Sequence, residues 1–267
     1  MNPADARSLH DGDLETREEN LRLLLARAGE GDASAAEALR ALVRDYPDYH
    51  RSLYSRALNR ASVFGDDSLR EPLLAALADT RYNCQAWAAM GCAAIGAREA
   101  VPGLIAMLDH PQDMAREQAV IALGVLGDAS TVPALVPVLH DVSAGMRDRA
   151  AEALGTIGGD DALAALWDEF ENRRYYRIGH IASALATFTP DIIPRLCAAA
   201  ESKDADQRYW AAVALGSTGD DRAVPTLERL MAHDRGSTVF DGMVSVAAKK
   251  GLRTLRRIQA AIAARES

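Results

Sequence analysis

The residues able to do chemistry in this sequence are few and scattered. Cys84, Cys92 and Cys197 are odd in number and form no CxxC pair, so they read as small buried apolar residues, not as a disulfide or metal set. Of the six histidines only His180 lies well inside a helical segment, and one neutral imidazole does not make a metal site. No phosphate-binding glycine loop, GxSxG elbow or locally spaced Cys–His pair is present. Asp66-Asp67, Asp160-Asp161 and Asp220-Asp221 read as turns and helix N-caps, not as paired catalytic acids. What remains is suited to binding. Tyr175, Tyr176, Tyr209 and Trp210 are aromatic and Arg149 is cationic, and an exposed Trp or Tyr beside arginine is the composition of a protein-binding hot spot. Lys249, Lys250, Arg253, Arg256, Arg257 and Arg265 make a basic run, either a solvated face whose cations suit the C-terminal half of a helix or a docking face for an acidic partner or a phosphate.

The elements that position these residues are helices. In Val101 to Asp128, Val101, Leu104, Ile105 and Leu108 fall on one helical face. Pro102 sits in the first turn, where a missing N–H costs nothing. Asp109-His110-Pro111 ends that helix, because the residue before proline disfavours the α region. A second helix runs from about Asp113, read as its N-cap, with Ala119, Val120, Leu123 and Leu126 apolar and Gly127 as a left-handed stop. One such hairpin cannot bury both apolar faces. It needs neighbours of its own kind.

Those neighbours recur in phase. The first-helix proline stands at Pro72, Pro102, Pro133, Pro194 and Pro225, missing only at Ala164. The second-helix leucine stands at Leu123, Leu154, Leu185 and Leu215, with Met90 in the first copy. A glycine follows at Gly91, Gly124, Gly155 and Gly216, with Ala186 in the fourth copy. Arg116, Arg147, Arg177 and Arg208 open the second helices, with partners expected among acidic residues or helix ends between neighbouring units, such as Asp128, Asp160 and Asp220. Upstream, helices are expected at Leu14 to Ala28, with Leu21, Leu24 and Leu25 buried, at Ala33 to Arg44, and at Asp48 to Phe64 after a break at Pro47. The domain division that follows is a flexible tail at 1–13, N-terminal capping helices and a divergent repeat at 14–66, about six repeats at 67–250, and a capping helix and tail at 251–267.

VPALVPVLHDVSAGMRDRAAEALGTIGG (132–159) and IPRLCAAAESKDADQRYWAAVALGSTGD (193–220) resemble HEAT repeats of the short bacterial kind, also known from phycobilisome lyases. The resemblance covers roughly 69–250, and more weakly 33–66. It implies an all-α fold, a right-handed α-solenoid of helical hairpins with second helices lining a concave groove. On that geometry the groove carries Gln85, Gln118, Arg149, His180 and Trp210, five before the leucine position. Ala88, Ile121, Glu152, Ser183 and Val213 stand two before it, with Glu117, Asp148, Tyr175, Tyr176 and Tyr209 alongside. The binding set is therefore Gln85, Gln118, Arg149, Glu152, Tyr176, His180, Tyr209 and Trp210. Trp210 and Tyr209 are either exposed in the groove or packed with only their edges showing. The fourth unit (about 160–188) lacks the proline and both glycines and predicts a local change. The sixth predicts a longer turn at His233 to Gly236.

Enzymes on this fold set the comparison for chemistry. HEAT-repeat deoxyhypusine hydroxylases hold iron through His-Glu pairs, but the residues after the six histidines here are Asp11, Arg51, Pro111, Asp141, Ile181 and Asp234. HEAT-like DNA glycosylases use a basic, aromatic concave face, whereas Glu117, Asp148 and Glu152 here would repel phosphates. The net charge of −8 likewise argues against nucleic acid and anionic membrane. Leu21 to Ala26 is too short for a signal peptide, and no run approaches the roughly 18 apolar residues of a membrane span. The expectation is a cytoplasmic, non-catalytic scaffold or adaptor without cofactor, binding a protein partner in its groove, with homo-oligomerisation through an end as a further arrangement. The alternative is an enzyme or accessory subunit, handling a cofactor as lyases do or acting on a DNA base.

Overall fold

The computed structural model describes residues 12–44, 58, 67–80, 84–172 and 178–266. Apart from Leu58, the expected helix at 48–64 lies outside the described residues, as do the tail at 1–11, Tyr175, Tyr176 and Arg177. Among those described the structure is all-α, fourteen α-helices with short 3-10 turns, and the sole β feature is one isolated bridge between Ser237 and Met243. Contacts divide the chain into two units, 1–131 and 132–267. Each is a series of helical hairpins, the α-solenoid class of fold.

In the first unit α1 (Leu14–Gly29) is capped by Asp13, whose Oδ1 accepts from the Thr16 N–H at 2.8 Å. Asp32 caps α2 (Ala33–Arg44) by accepting from the N–H groups of Ser34 and Ala35 at 2.9 and 3.2 Å. Leu21, Leu24, Leu39 and Leu42 fill this hairpin, while Leu25, expected inside, is only half-buried. Two hairpins follow, α3 (Arg70–Ala78) with α4 (Gln85–Ala94), and α5 (Val101–Ala106) with α6 (Asp113–Leu126). The last turn of α5 tightens into a 3-10 turn, Met107–Asp109, and His110 becomes extended ahead of Pro111. Asp113 is the first residue of α6 and not its N-cap; Gln112 holds that place, with no side-chain bond. Gly127 ends the helix at φ +63 with its N–H bonded to Leu123. α4 and α6 pack side by side through alanines that allow close approach.

The second unit holds four hairpins. The first is α7 (Val132–Leu135), extended by the 3-10 turn Val136–His140, with α8 (Ala144–Ile157). Then come α9 (Gly159–Asn172) with α10 (Gly179–Leu185), α11 (Ile193–Ala199) with α12 (Ala205–Ser217), and α13 (Val224–His233) with α14 (Val244–Glu266). The second helices α8, α10, α12 and α14 pack each against the next. First helices are also tied together: His140 Nε2 lies 2.5 Å from the buried Glu169 Oε1, and the Arg195 guanidinium sits 4.0 Å over the Trp167 ring.

One expectation is corrected here. The helix expected to start at Gly251 is continuous with the one before it, because α14 runs unbroken for 23 residues. Gly251 serves a helix crossing instead of a boundary, since a Cβ built on Gly216 would fall 2.3 Å from its Cα. Arg116, Arg147 and Arg208 bond to helix ends, one of the two kinds of partner expected of the recurring arginines. Arg116, Arg147 and Arg208 each return Nη1 to the carbonyl six residues earlier, on His110, Asp141 and Ser202, at 3.1, 2.8 and 2.9 Å. Each one ties the turn to the start of the second helix, satisfying a carbonyl that the ended first helix leaves open. Asp128 and Asp220 accept from backbone N–H groups two residues on, and Asp160 lies in the first turn of α9.

Arg208 does more. Its Nε donates to Asp234 Oδ2 at 2.6 Å across to the next hairpin, and both side chains are largely buried. That guanidinium holds the Asp234 carboxyl below the usual carboxylate range. A depressed folded value means stability present above the unfolded carboxylate pKa, near about 3.9, and lost as pH falls through the folded value. Arg208→Met should therefore cost about 1.5–3 kcal/mol at neutral pH. In urea titrations carried to acid pH, the gap to the unmutated protein should close as Asp234 protonates.

Candidate functional site

Between α8 and α10 the second-helix face of the second unit opens into a cleft of about 540 Å³. Asp148, Glu152 and Thr156 line one wall at i, i+4 and i+8 along α8. Gly179, His180, Ser183, Ala184 and Thr187 line the other. Among the described residues no lysine or arginine lines it. His180 Nδ1 stands 3.1 Å from Asp148 Oδ1, with the imidazole mostly buried and the carboxylate exposed. Burial pushes His180 below its ordinary value, and Asp148 only partly opposes this, so the ring is neutral near pH 7. Thr156 and Thr187 donate their hydroxyls to the carbonyls of Glu152 and Gly155, both at 2.9 Å. Asp148, Glu152 and Ser183 are left facing solvent. The cleft is rich in hydrogen-bond acceptors, and the described residues of its walls carry no lysine or arginine.

The expected site residues do not all reach this face. Arg149 and Glu152 are exposed on α8 and pair with each other at 3.0 Å. Tyr209 and Trp210 meet edge to face, with centroids 5.1 Å apart, on α12. Trp210 is only 8% exposed. Its indole lies against Gly179, where a Cβ would stand 3.4 Å from the ring. It is a packing residue between α10 and α12, with just an edge in view. Gln85, at the start of α4 in the first unit, is 3% exposed, and its Oε1 has no hydrogen-bond partner among the described residues. Gln118 is half-buried on α6 in the same unit. Tyr176 lies outside the described residues. Thr156 and Thr187 were not foreseen; the signal available was the step of four from Glu152 and from Ser183 along their helices.

The other reactive groups are quiet. Burial pushes the Cys92 thiol up to about 12, and Cys84 is buried with its thiol 3.8 Å from the Ala76 carbonyl. Among the described residues no group of three His, Cys, Asp or Glu side chains is placed to hold a metal ion, and no helix is long and apolar enough to cross a membrane.

No curated protein matches this chain. Several solved structures are similar to it. The complex of CpcE and CpcF of phycocyanin lyase from Nostoc sp. is 23% identical, over 82% of this chain and 94% of that one, at a TM-score of 0.48. Human deoxyhypusine hydroxylase in complex with glycerol is 19% identical over 94% of each chain, at 0.37. A designed armadillo repeat protein in complex with the peptide (KR)4 is 18% identical over 81% of this chain and 99% of that one, at 0.44. HEAT repeats match at residues 36–124, 70–145, 101–186 and 175–242, and the chain belongs to the HEAT-repeat family.

Proposed function

We propose that this chain is a non-catalytic protein-interaction scaffold that seats a segment of a protein partner on the second-helix face, at the cleft between α8 and α10. The observation that carries this reading is the cleft itself. Two exposed carboxylates and a free-facing serine stand around a concavity of about 540 Å³, on helices fixed by their neighbours. Such walls suit a donor-rich side chain, that of lysine or arginine, on a partner. The repeat fold supports the scaffold role, and three free cysteines fit a reducing cytoplasm.

The test uses exposed residues, because Trp210→Ala would disturb helix packing and confuse binding with stability. Full-length protein and the variant Asp148→Lys, Glu152→Lys are immobilised and exposed to an extract of the source cells. Proteins retained by the unmutated chain should fall about tenfold or more on the variant, at unchanged helix content. Equal recovery on both would remove this cleft from the account.

A further inference from the structure

The last helix carries a second surface of opposite character. On α14, Val244, Ala247, Ala248, Gly251, Leu252 and Leu255 are buried against α12 and α13. At 100° per residue the opposite face presents Val246, Lys249, Lys250, Arg253, Arg256 and Arg257, all of them exposed. No aspartate or glutamate interrupts α14 before Glu266. Among the described residues these five cations make no ion pair. The helix dipole does not account for them, since it rewards cations only in the last turn, where Arg265 alone stands. Five like charges within roughly 12 Å of helix repel one another, in a chain whose net charge is −8.

The N-terminal end of this stripe is apolar. Val239, Phe240, Met243 and Val246 are 79, 59, 42 and 46% exposed. The loop that presents them is built. The Thr238 N–H bonds the Gly242 carbonyl at 2.9 Å, and its buried hydroxyl oxygen accepts from the N–H groups of Asp241 and Gly242 at 2.7 and 2.8 Å. Asp234, held by Arg208, accepts from the Gly236 N–H at 2.7 Å. Val239 and Phe240 are thereby held at the tip of a fixed turn.

We propose that this face docks an acidic protein segment bearing an apolar anchor. The anchor sits against Phe240, Met243 and Val246, and carboxylates follow the cations from Lys249 to Arg257. Charge complementarity chooses the occupant, and the apolar end chooses its class. A nucleic acid has no use for four exposed apolar side chains, and the rest of the chain repels a polyanion. A membrane surface needs the apolar side of a basic helix, which α14 has already buried.

The test is fluorescence anisotropy on the full chain. The probe is a labelled peptide of aspartate and glutamate flanking a Leu-Phe pair; its control has Ser-Ser in place of that pair. The unmutated protein should bind the Leu-Phe peptide about fivefold or more tighter than the control, and more weakly as salt rises. Lys249→Glu, Lys250→Glu, Arg253→Glu should weaken binding about tenfold or more. Phe240→Ser, Val246→Ser should abolish the preference for Leu-Phe while leaving the control peptide's affinity in place. The cleft variant Asp148→Lys, Glu152→Lys should bind the peptide normally, so failure here is distinct from failure of the cleft. No binding, equal binding of the two peptides, or tighter binding to duplex DNA or phosphatidylserine vesicles would each overturn the proposal. The peptide comparison and salt titration need no variant to fold.

Discussion

Leu154→Ala should destabilise the second unit by about 2–5 kcal/mol, and the loss should not spread evenly along the chain. Leu154 is fully buried on α8, in the layer where α8 meets α10. Truncation leaves a cavity, and helices held at both ends by neighbours collapse into it poorly. In a repeat array each hairpin contacts mainly the next, so stability is a sum of local and nearest-neighbour parts. Hydrogen exchange read by mass spectrometry should show α8 to α10 losing protection first, with α1 and α2 close to their original rates. One cooperative loss of protection in all helices together would contradict the linear picture.

Gly216→Ala should be as damaging, by addition in place of removal. A Cβ there would lie 2.3 Å from the Gly251 Cα and 2.8 Å from its carbonyl carbon and oxygen. Both sides of the contact are backbone, so no side-chain rotation relieves the overlap, and α12 and α14 must separate. Overpacking usually costs about 1–3 kcal/mol, and a backbone clash in the middle of a 23-residue helix belongs at the upper end or beyond. Gly145→Ala is the control. It lies exposed in α8 with only Ser143 Oγ near, at 3.7 Å, and should gain up to about 1 kcal/mol from helix propensity. Urea midpoints for the three proteins should fall in the order Gly145→Ala, unmutated, Gly216→Ala.

These two sites also show what could be read before any coordinates. Leu154 and Gly216 were both visible as recurring positions, because each repeat solves the same local problem. A proline fits a first turn, an arginine returns to a carbonyl six residues back, and a leucine fills the layer between second helices. Local rules of that kind fix hairpins and phase. They do not say which neighbour covers a face. Gly251 therefore read as a helix start when it is the counterpart of Gly216. Trp210 reads equally as a groove residue or a packed one, and what decides it is Gly179, one hairpin earlier, which makes room for its ring. The arginines' reach to helix ends was legible, because the carbonyls that each first helix leaves open recur at the same spacing. The Val239–Phe240 tip had no periodic signal, because its shape depends on the Thr238 hydroxyl and the Asp234 pair. The cleft lay half within reach: Asp148, Glu152, His180 and Ser183 followed from phase, whereas its depth follows from how closely α8 and α10 approach.

The claim that the second-helix face is where a partner segment lies is tested most directly by site-specific photo-cross-linking. A photoreactive residue is placed at Ser183, exposed in the cleft, and separately at Glu228, exposed on the first helix α13. Irradiation in the source cells followed by mass spectrometry should give a defined protein adduct from Ser183 and none from Glu228. Adducts from Glu228 alone, or the same partner in equal yield from both positions, would contradict the account.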